Sequence, residues 1–233
     1  VRRARVPGCG ADRDEQYALK RSTANEVRAL RALAECRNVV ALAEDYCLGQ
    51  DCQIWARLEW LEGGSLRSLL RAQGGRQLPE ETVRVLLLEV LNGLEDIHRS
   101  GWMHRDIKAE NIGISRPSDA ASFGPRFGIK ILDFDTAVAI PSSGPLTEVV
   151  GTVENMPPEG FGGSYNERAD CWSLGVVAYE LLYGFRPFND ASIDRVEEMV
   201  RNWQRYLLFP LDAAAVPKDL VQALLLESRS AGS

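Results

Sequence analysis

The stretch His104-Arg105-Asp106-Ile107-Lys108-Ala109-Glu110-Asn111 places a carboxylate, an amine and a carboxamide at fixed offsets within eight residues. A second acidic group, Asp133-Phe134-Asp135, begins 22 residues after Asn111. Transfer of a phosphoryl group from a nucleotide needs one carboxylate that orients the attacking hydroxyl. It also needs separate oxygen ligands that hold a divalent metal on the phosphates. The two stretches together therefore predict a phosphoryl-transfer site.

Other segments of the chain extend this pattern in a consistent order. Tyr17-Ala18-Leu19-Lys20 is similar to a strand that presents a lysine to nucleotide phosphates, and residues 151–159 are similar to the end of an activation segment. With the first stretch, these motifs resemble a eukaryotic-type protein kinase domain, most closely its serine/threonine branch. The resemblance runs from Val1 to about Glu227. It leaves out the glycine-rich phosphate loop and the last helix, so the chain is expected to be a fragment.

The resemblance implies an α+β fold of two lobes. A strand-rich first part and a helix-rich second part favour the same fold class. We expect a single protein kinase domain over residues 1–233, with a small β-rich N-lobe over 1–61, truncated at its start, and a larger helical C-lobe over 62–233. The implied activity is transfer of the γ-phosphoryl of ATP, with Mg²⁺, to serine and threonine hydroxyls of a protein substrate.

Hydrophobic periodicity predicts the elements that carry these motifs. Strands are expected at residues 1–6, 16–21, 39–48, 52–60, 112–114 and 128–132. Helices are expected at residues 22–36, 83–97, 168–182, 192–205 and 217–227, and the one over 168–182 is apolar enough to be central. His98 has no motif around it and is expected on a helix surface.

Composition narrows the class of protein. Apolar residues make up 45% of the chain and charged residues 26%, an ordinary globular balance. The net charge of -6 argues against a nucleic-acid binder, which usually carries a basic surface. No run approaches the roughly 18 apolar residues of a membrane span, so no membrane association is expected. The oligomeric state is not indicated.

The cysteines suggest a location. Five are present, an odd number without a Cys-x-x-Cys pair, which fits a reducing compartment and a cytoplasmic or otherwise intracellular protein. Cys47 and Cys52 have no histidine nearby, so thiols are expected there instead of a zinc site.

The resemblance assigns roles to the residues of the catalytic loop and its surroundings. Asp106 would be the catalytic base that orients the substrate hydroxyl. Lys108 would neutralise charge on the transferring phosphoryl group, and Lys20 would contact the α- and β-phosphates of ATP. Asn111 and Asp133 would be the magnesium ligands.

Glu26 is the candidate partner of Lys20, and two alternatives remain open for it. Only five residues separate the two side chains in sequence, a shorter gap than the family usually has. Thr23-Ala24-Asn25-Glu26 also matches a capping box. Glu26 therefore either pairs with Lys20 or is engaged by the start of its own helix.

The resemblance also implies the walls of a nucleotide pocket. Val1 would pack over the adenine, Ala18 would line the roof, and Leu58 would control access behind the base. Glu59-Trp60-Leu61 would be the hinge whose backbone pairs with the adenine. Gly113 lies where the family usually has a large apolar floor residue, so a loss of packing surface is expected there.

Several positions depart from the protein kinase motifs or bear on regulation and substrate preference. Asp135 replaces the family's glycine, which is expected to strain the backbone and to bring a third carboxylate near the metal. Glu148 lies where a phosphorylated residue often neutralises Arg105, so a fixed carboxylate is one alternative to phosphorylation of Thr147. A preference for basic substrate residues follows from the carboxylates at positions 110 and 180.

Two rival functions remain. The first is a kinase-fold scaffold with impaired catalysis, which Asp135 and the missing glycine loop favour and the retained catalytic residues oppose. The second is a small-molecule kinase of related fold, which the peptide-platform character of residues 151–159 opposes.

Overall fold

A four-stranded antiparallel sheet forms the first part of the molecule. The computed structural model describes residues 2–6, 15–49, 51–115, 128–211 and 215–227. The strands are β1 (Arg2–Val6), β2 (Glu15–Arg21), β3 (Leu42–Leu48) and β4 (Gln53–Glu59), and their order in the sheet is β1-β2-β4-β3. Residues that pair across neighbouring strands share a face, and so do residues two apart along one strand. Ala18, Lys20 and Leu58 therefore lie on one face, because Ala18 pairs with Leu58.

Among the described residues of this part, one helix, α1 (Ala24–Ala32), lies between β2 and β3 in the chain. It is shorter than the predicted helix over residues 22–36. The Thr23 side chain accepts a hydrogen bond from the Glu26 backbone nitrogen at 3.1 Å, and this cap starts the helix two residues later than periodicity alone indicated. Helix α1 therefore begins at Ala24, and Glu26 lies in its first turn.

Helices dominate the rest of the chain. They are α2 (Leu66–Ala72), α3 (Glu80–Arg99), α4 (Ala169–Tyr183), α5 (Ile193–Arg201), α6 (Trp203–Tyr206) and α7 (Ala215–Glu227). Helix α4 is buried along nearly its whole length, as its apolar sequence predicted. The predicted helix over 192–205 is divided into α5 and α6 at Asn202.

Two short antiparallel pairs support the loops that carry the candidate site. Strand β5 (Trp102–Met103) pairs with β8 (Val138–Ala139), and β6 (Ile112–Ile114) pairs with β7 (Ile129–Ile131). The Leu132 backbone nitrogen donates to Asn111 O at 2.8 Å, immediately beyond the second pair. Asn111 and Asp133 therefore leave the β6–β7 pair at the same end. The α+β architecture predicted from sequence is confirmed.

One expectation about the cysteines is wrong. Cys47 and Cys52 form a disulfide across the β3–β4 hairpin, with a Cα–Cα distance of 4.8 Å. Antiparallel pairing brings the two positions together, although their sequence spacing alone did not indicate it. Of the helices in the described ranges, none combines the length and apolar character that crossing a membrane requires.

Candidate active site

Asp106 lies in the loop between β5 and β6, and each carboxylate oxygen has its own partners. Oδ1 accepts hydrogen bonds from the Thr152 backbone nitrogen and hydroxyl, at 3.0 and 2.7 Å. Oδ2 accepts from Lys108 Nζ at 2.6 Å and from Asn111 Nδ2 at 3.0 Å. The side chain is only 11% exposed, so these donors hold the carboxylate in one orientation.

Thr152 is a site residue that the sequence analysis did not single out. Besides contacting Asp106, its hydroxyl accepts a hydrogen bond from Lys108 Nζ at 2.9 Å. The preceding Gly151 has φ of 103°, and a Cβ on it would lie 2.4 Å from the Arg105 carbonyl oxygen. Only glycine permits this approach of the two backbones. The Gly-Thr dipeptide was therefore the available signal for a contact with the catalytic loop.

Lys20 is the centre of an ionic cluster. Its Nζ lies 2.7 Å from Glu26 Oε1, 2.6 Å from Asp133 Oδ1 and 3.0 Å from Asp135 Oδ2. Burial works to lower the pKa of Lys20, but hydrogen bonds to Asp133 and Glu26 outweigh burial and raise that pKa above its ordinary value. The ammonium group is therefore charged throughout the physiological pH range.

Of the two alternatives that the sequence left open for the Glu26 side chain, the structure has the ion pair with Lys20. The Glu26 backbone nitrogen donates to the cap residue Thr23, whereas its buried carboxylate turns toward Lys20. The same carboxylate accepts from Ser22 Oγ at 2.6 Å and from the Phe134 backbone nitrogen at 3.1 Å. The short gap between Lys20 and Glu26 thus does not prevent their ion pair.

Asn111 and Asp133 offer the oxygen ligands that magnesium prefers. Asn111 Nδ2 donates to the backbone oxygen and to Oδ2 of Asp106, at 2.9 and 3.0 Å, which leaves the carboxamide oxygen to face a cation. Burial would raise the pKa of Asp133, but the hydrogen bond from Lys20 lowers it below its ordinary value. The Asp133 carboxylate is therefore ionised, and the pair fits a divalent metal.

Asp170, in the first turn of α4, braces the catalytic loop. The fully buried carboxylate accepts from the backbone nitrogens of His104 and Arg105, at 3.0 and 2.9 Å. It also lies 2.8 Å from His98 Nε2. Burial would raise the pKa of Asp170, whereas these polar contacts lower it. His98 is thus a partner of the brace, and the prediction that placed it on a helix surface is wrong.

Two of the candidate nucleotide-binding residues, Ala18 and Leu58, are buried on the sheet face that also carries Lys20. The Glu59 side chain turns away, because its Oε1 accepts from the Ala41 backbone nitrogen at 2.7 Å. Val1 lies outside the described residues.

Gly113 does not leave the gap that the sequence analysis expected. A Cβ on Gly113 would lie 2.3 Å from Leu61 Cδ1 and 3.0 Å from Leu132 Cδ1. Leucine side chains from two other segments therefore fill the space over this glycine, and the expected loss of packing surface is wrong.

Comparison with known proteins agrees with this geometry. A family model described as "Protein kinase domain" matches residues 10–225. This chain belongs to the protein kinase domain family. Its relatives include rat Citron rho-interacting kinase, 31% identical over 94% of the chain, and human Myotonin-protein kinase, 33% identical over 72%. Serine/threonine-protein kinase dkf-1 of Caenorhabditis briggsae is 33% identical over 91%.

The kinase domain spans only a part of these relatives. It covers 12% of the Citron kinase, 27% of the Myotonin kinase and 28% of dkf-1. The fold is accordingly the two-lobed α+β fold of protein kinases, with the sheet in the small lobe and most helices in the large lobe.

Asp135 of the kinase domain does not have the strained backbone that was expected of it. Within the described ranges, the non-glycine residues with positive φ are Cys52, Arg105 and Asp133. Asp135 is not among them, so the strain argument is wrong. The third carboxylate near the site is present, since Asp135 Oδ2 lies 3.0 Å from Lys20 Nζ.

We expect Asp135→Gly to raise the Mg²⁺ concentration needed for half-maximal activity by about fivefold. Carboxylate oxygens of Glu26, Asp133 and Asp135 lie within 4.8 Å of one another, so loss of one weakens the attraction for a cation. At ~6 Å and an effective dielectric of ~20, one unit charge contributes roughly 3 kcal/mol. Solvent and salt reduce this to about 1 kcal/mol for a side chain that is 41% exposed.

A magnesium titration of activity measures the shift. Asp135→Asn, which removes only the charge, should match it, and an unchanged midpoint in both variants would contradict the prediction.

The carboxylates of Glu110 and Glu180 are already paired within the kinase domain. Arg67 Nε lies 2.8 Å from Glu110 Oε1, and Arg67 Nη2 donates to Glu180 Oε2 at 2.9 Å. Arg186 Nη2 adds a contact of 3.1 Å with Glu110 Oε1. A substrate arginine would have to displace these internal arginines. The preference for basic substrate residues stays a prediction, and these pairs weaken its basis.

Proposed function

We propose that this chain is the catalytic domain of an ATP-dependent protein serine/threonine kinase, organised as one domain over residues 1–233. The observation that carries the proposal is the contact of Lys20 with both Glu26 and Asp133, at 2.7 and 2.6 Å. Protein kinases need the lysine–glutamate pair and the metal-binding aspartate in place at the same time. Both contacts converge here on one ammonium group.

Each side chain of the candidate site would have a distinct role in phosphoryl transfer. Asp106 would orient the attacking hydroxyl, because its carboxylate is held in one orientation at the centre of the loop. Lys108, 2.6 Å from Asp106, would place positive charge beside the phosphoryl group in transit. Lys20 would hold the nucleotide phosphates. Bound by Asn111 and Asp133, Mg²⁺ would supply neutralisation of phosphate charge.

The proposed acceptor is a serine or threonine of a protein substrate. The segment over residues 151–159 supports a peptide acceptor, because Thr152 ties this segment directly to Asp106. A domain with impaired catalysis that serves as a scaffold is the second candidate. The observation that favours it is Asp135, whose carboxylate competes with phosphate for Lys20.

The identity of the acceptor tests the proposal. The protein is incubated with γ-labelled ATP and Mg²⁺ in the presence of a mixed casein substrate, and the labelled protein is hydrolysed to its phosphoamino acids. We expect label on phosphoserine and phosphothreonine. Label on phosphotyrosine alone would contradict the serine/threonine assignment. The absence of transfer with nucleotide binding retained would support the scaffold function.

We expect phosphatase treatment to leave activity within about twofold of the untreated level. Arg105 Nη1 already pairs with Glu148 Oε2 at 3.0 Å, and Arg105 Nε donates to Thr136 O at 2.6 Å. The Tyr165 hydroxyl donates to the Glu148 backbone oxygen at 2.6 Å and holds this segment in place. A fixed carboxylate thus supplies part of the charge that a phosphate would supply.

Glu148→Ala should lower activity about two- to fivefold, the range expected for an exposed ion pair. Thr147→Ala is the matched neighbour and should leave activity unchanged. Kinase assays on the two variants, with and without prior phosphatase, distinguish the alternatives. If phosphatase and Thr147→Ala both abolish activity, Thr147 is the switch and the role of Glu148 is wrong.

A further inference from the structure

Two glycines let the segment after β4 pack tightly against β6. The Gly63 backbone nitrogen donates to Ile114 O at 3.0 Å, and the Ile114 backbone nitrogen donates to Gly64 O at 2.8 Å. A Cβ on Gly63 would lie 2.4 Å from Ile114 Cγ2 and 2.8 Å from Ile114 O. A side chain at Gly63 would meet backbone as well as side-chain atoms, so the approach requires glycine.

This approach brings Leu61 over Gly113. The Gly64 backbone nitrogen donates to Leu61 O at 3.4 Å, which turns the chain back at this point. An isolated bridge between Ser65 and Gly113 aligns the segment with β6. Leu61 Cδ1 then occupies the position where the side chain of residue 113 would begin, 2.3 Å from an ideal Cβ. The two positions compete for one volume, so a large side chain at residue 113 would require the Leu61 side chain to shift.

The shared volume is assigned to the proposed nucleotide site through position 113, the expected floor position. On β2, Ala18 lies two residues from Lys20, on the same face and roughly 7 Å along the strand. On β6, Gly113 lies two residues from Asn111. Lys20 and Asn111 carry polar groups that suit phosphates and metal, whereas Ala18 and Gly113 are small and apolar. A planar base is the part of a nucleotide that small apolar residues accommodate.

We infer that Leu61 supplies the apolar floor beneath the nucleobase, in place of the side chain that Gly113 lacks. The inference rests on the proposed function and adds a residue that determines affinity for the base. Leu61 enters from the connection between the two lobes, whereas residue 113 would have entered from β6. The base is therefore contacted by a side chain on the connecting segment itself.

The test exchanges the two side chains. The variants are Leu61→Ala, Gly113→Leu and the double variant, and Leu91→Ala on α3 is the matched control for loss of a partly buried leucine. The measured quantities are the KM for ATP and the inhibition constant of magnesium tripolyphosphate, which has phosphates but no base. Leu61→Ala should raise the KM for ATP about tenfold, the loss expected from an apolar contact of this size.

Tripolyphosphate, which has no base, distinguishes the loss of a contact with the base from a general defect in phosphate binding. The inhibition constant of tripolyphosphate should change less than about twofold in Leu61→Ala. Gly113→Leu alone should also weaken ATP binding, because the two leucines then compete for one volume. The double variant should bring the KM for ATP back to within about threefold of wild type. An unchanged KM in Leu61→Ala, an equal loss for both probes, or no recovery in the double variant would overturn the inference.

Thermal unfolding without nucleotide tests the packing independently. The effects of Leu61→Ala and Gly113→Leu on the melting temperature should be non-additive, with the double variant more stable than their sum predicts. If the effects add, Leu61 and residue 113 do not share a volume and the inference fails. If the two effects on the melting temperature are non-additive but the wild-type protein binds no ATP, the proposed function is wrong, and the shared packing of Leu61 and residue 113 is still supported.

Discussion

Asp106→Asn should lower kcat about 10³-fold and leave the KM for ATP within about threefold of wild type. A positioned base contributes roughly 10²–10⁴ to a phosphoryl or proton transfer. The asparagine would keep an oxygen acceptor for Thr152 but lose the negative charge that attracts the substrate hydroxyl proton. The amide nitrogen would also face Lys108, which now donates to the carboxylate. Steady-state kinetics with a saturating protein substrate separate the two parameters.

The control for this variant is Asp219→Asn, the same change at an exposed position on α7. It should behave as wild type. A melting temperature of Asp106→Asn within a few degrees of wild type would show that the fall in kcat is chemical. If Asp106→Asn retains more than about a tenth of the wild-type kcat, Asp106 is not the catalytic base.

Lys20→Met should lower kcat/KM for ATP by at least about 10²-fold. The ammonium group is the common partner of Glu26, Asp133 and Asp135, and methionine removes its charge while keeping a side chain of similar length. Removal of one preorganised charged donor typically costs 10²–10³ in rate. The three carboxylates would then repel incoming phosphates without a compensating cation.

Lys218→Met on α7 provides the matched control, since Lys218 lies away from the carboxylate cluster, with its Nζ 5.9 Å from the centre of the Phe209 ring. This variant should retain full activity. Activity of Lys20→Met within about threefold of wild type would mean that the phosphates are held elsewhere, and the assignment of Lys20 would be wrong.

Contacts among the candidate site residues were predictable where a motif is local and less predictable where they depend on folding. Asp106, Lys108 and Asn111 lie within six residues, so the catalytic loop itself brings them together. The approach of Lys20 to Asp133 joins positions 113 residues apart. The motifs assigned both residues to one site, but their direct contact was not predicted.

Other contacts had no sequence signal of comparable strength. His98 lies 72 residues from Asp170, and only the packing of α3 against α4 joins them. The sequence also did not predict that the Leu61 side chain fills the space over Gly113, because the missing side chain and the one that replaces it belong to different segments. Glu26 shows why local rules can conflict. A capping box would have turned its carboxylate toward the helix start, but its backbone nitrogen meets the cap and its carboxylate pairs with Lys20.

The amount of phosphoryl group transferred per protein molecule tests the central claim most directly. The claim is that the cluster around Lys20 and the loop around Asp106 form a working phosphoryl-transfer site. With γ-labelled ATP, Mg²⁺ and excess casein, the wild-type protein should transfer many phosphoryl groups per molecule to serine and threonine, and Asp106→Asn should transfer almost none in the same time. Transfer of one group or fewer per wild-type molecule, or equal transfer by Asp106→Asn, would contradict the account.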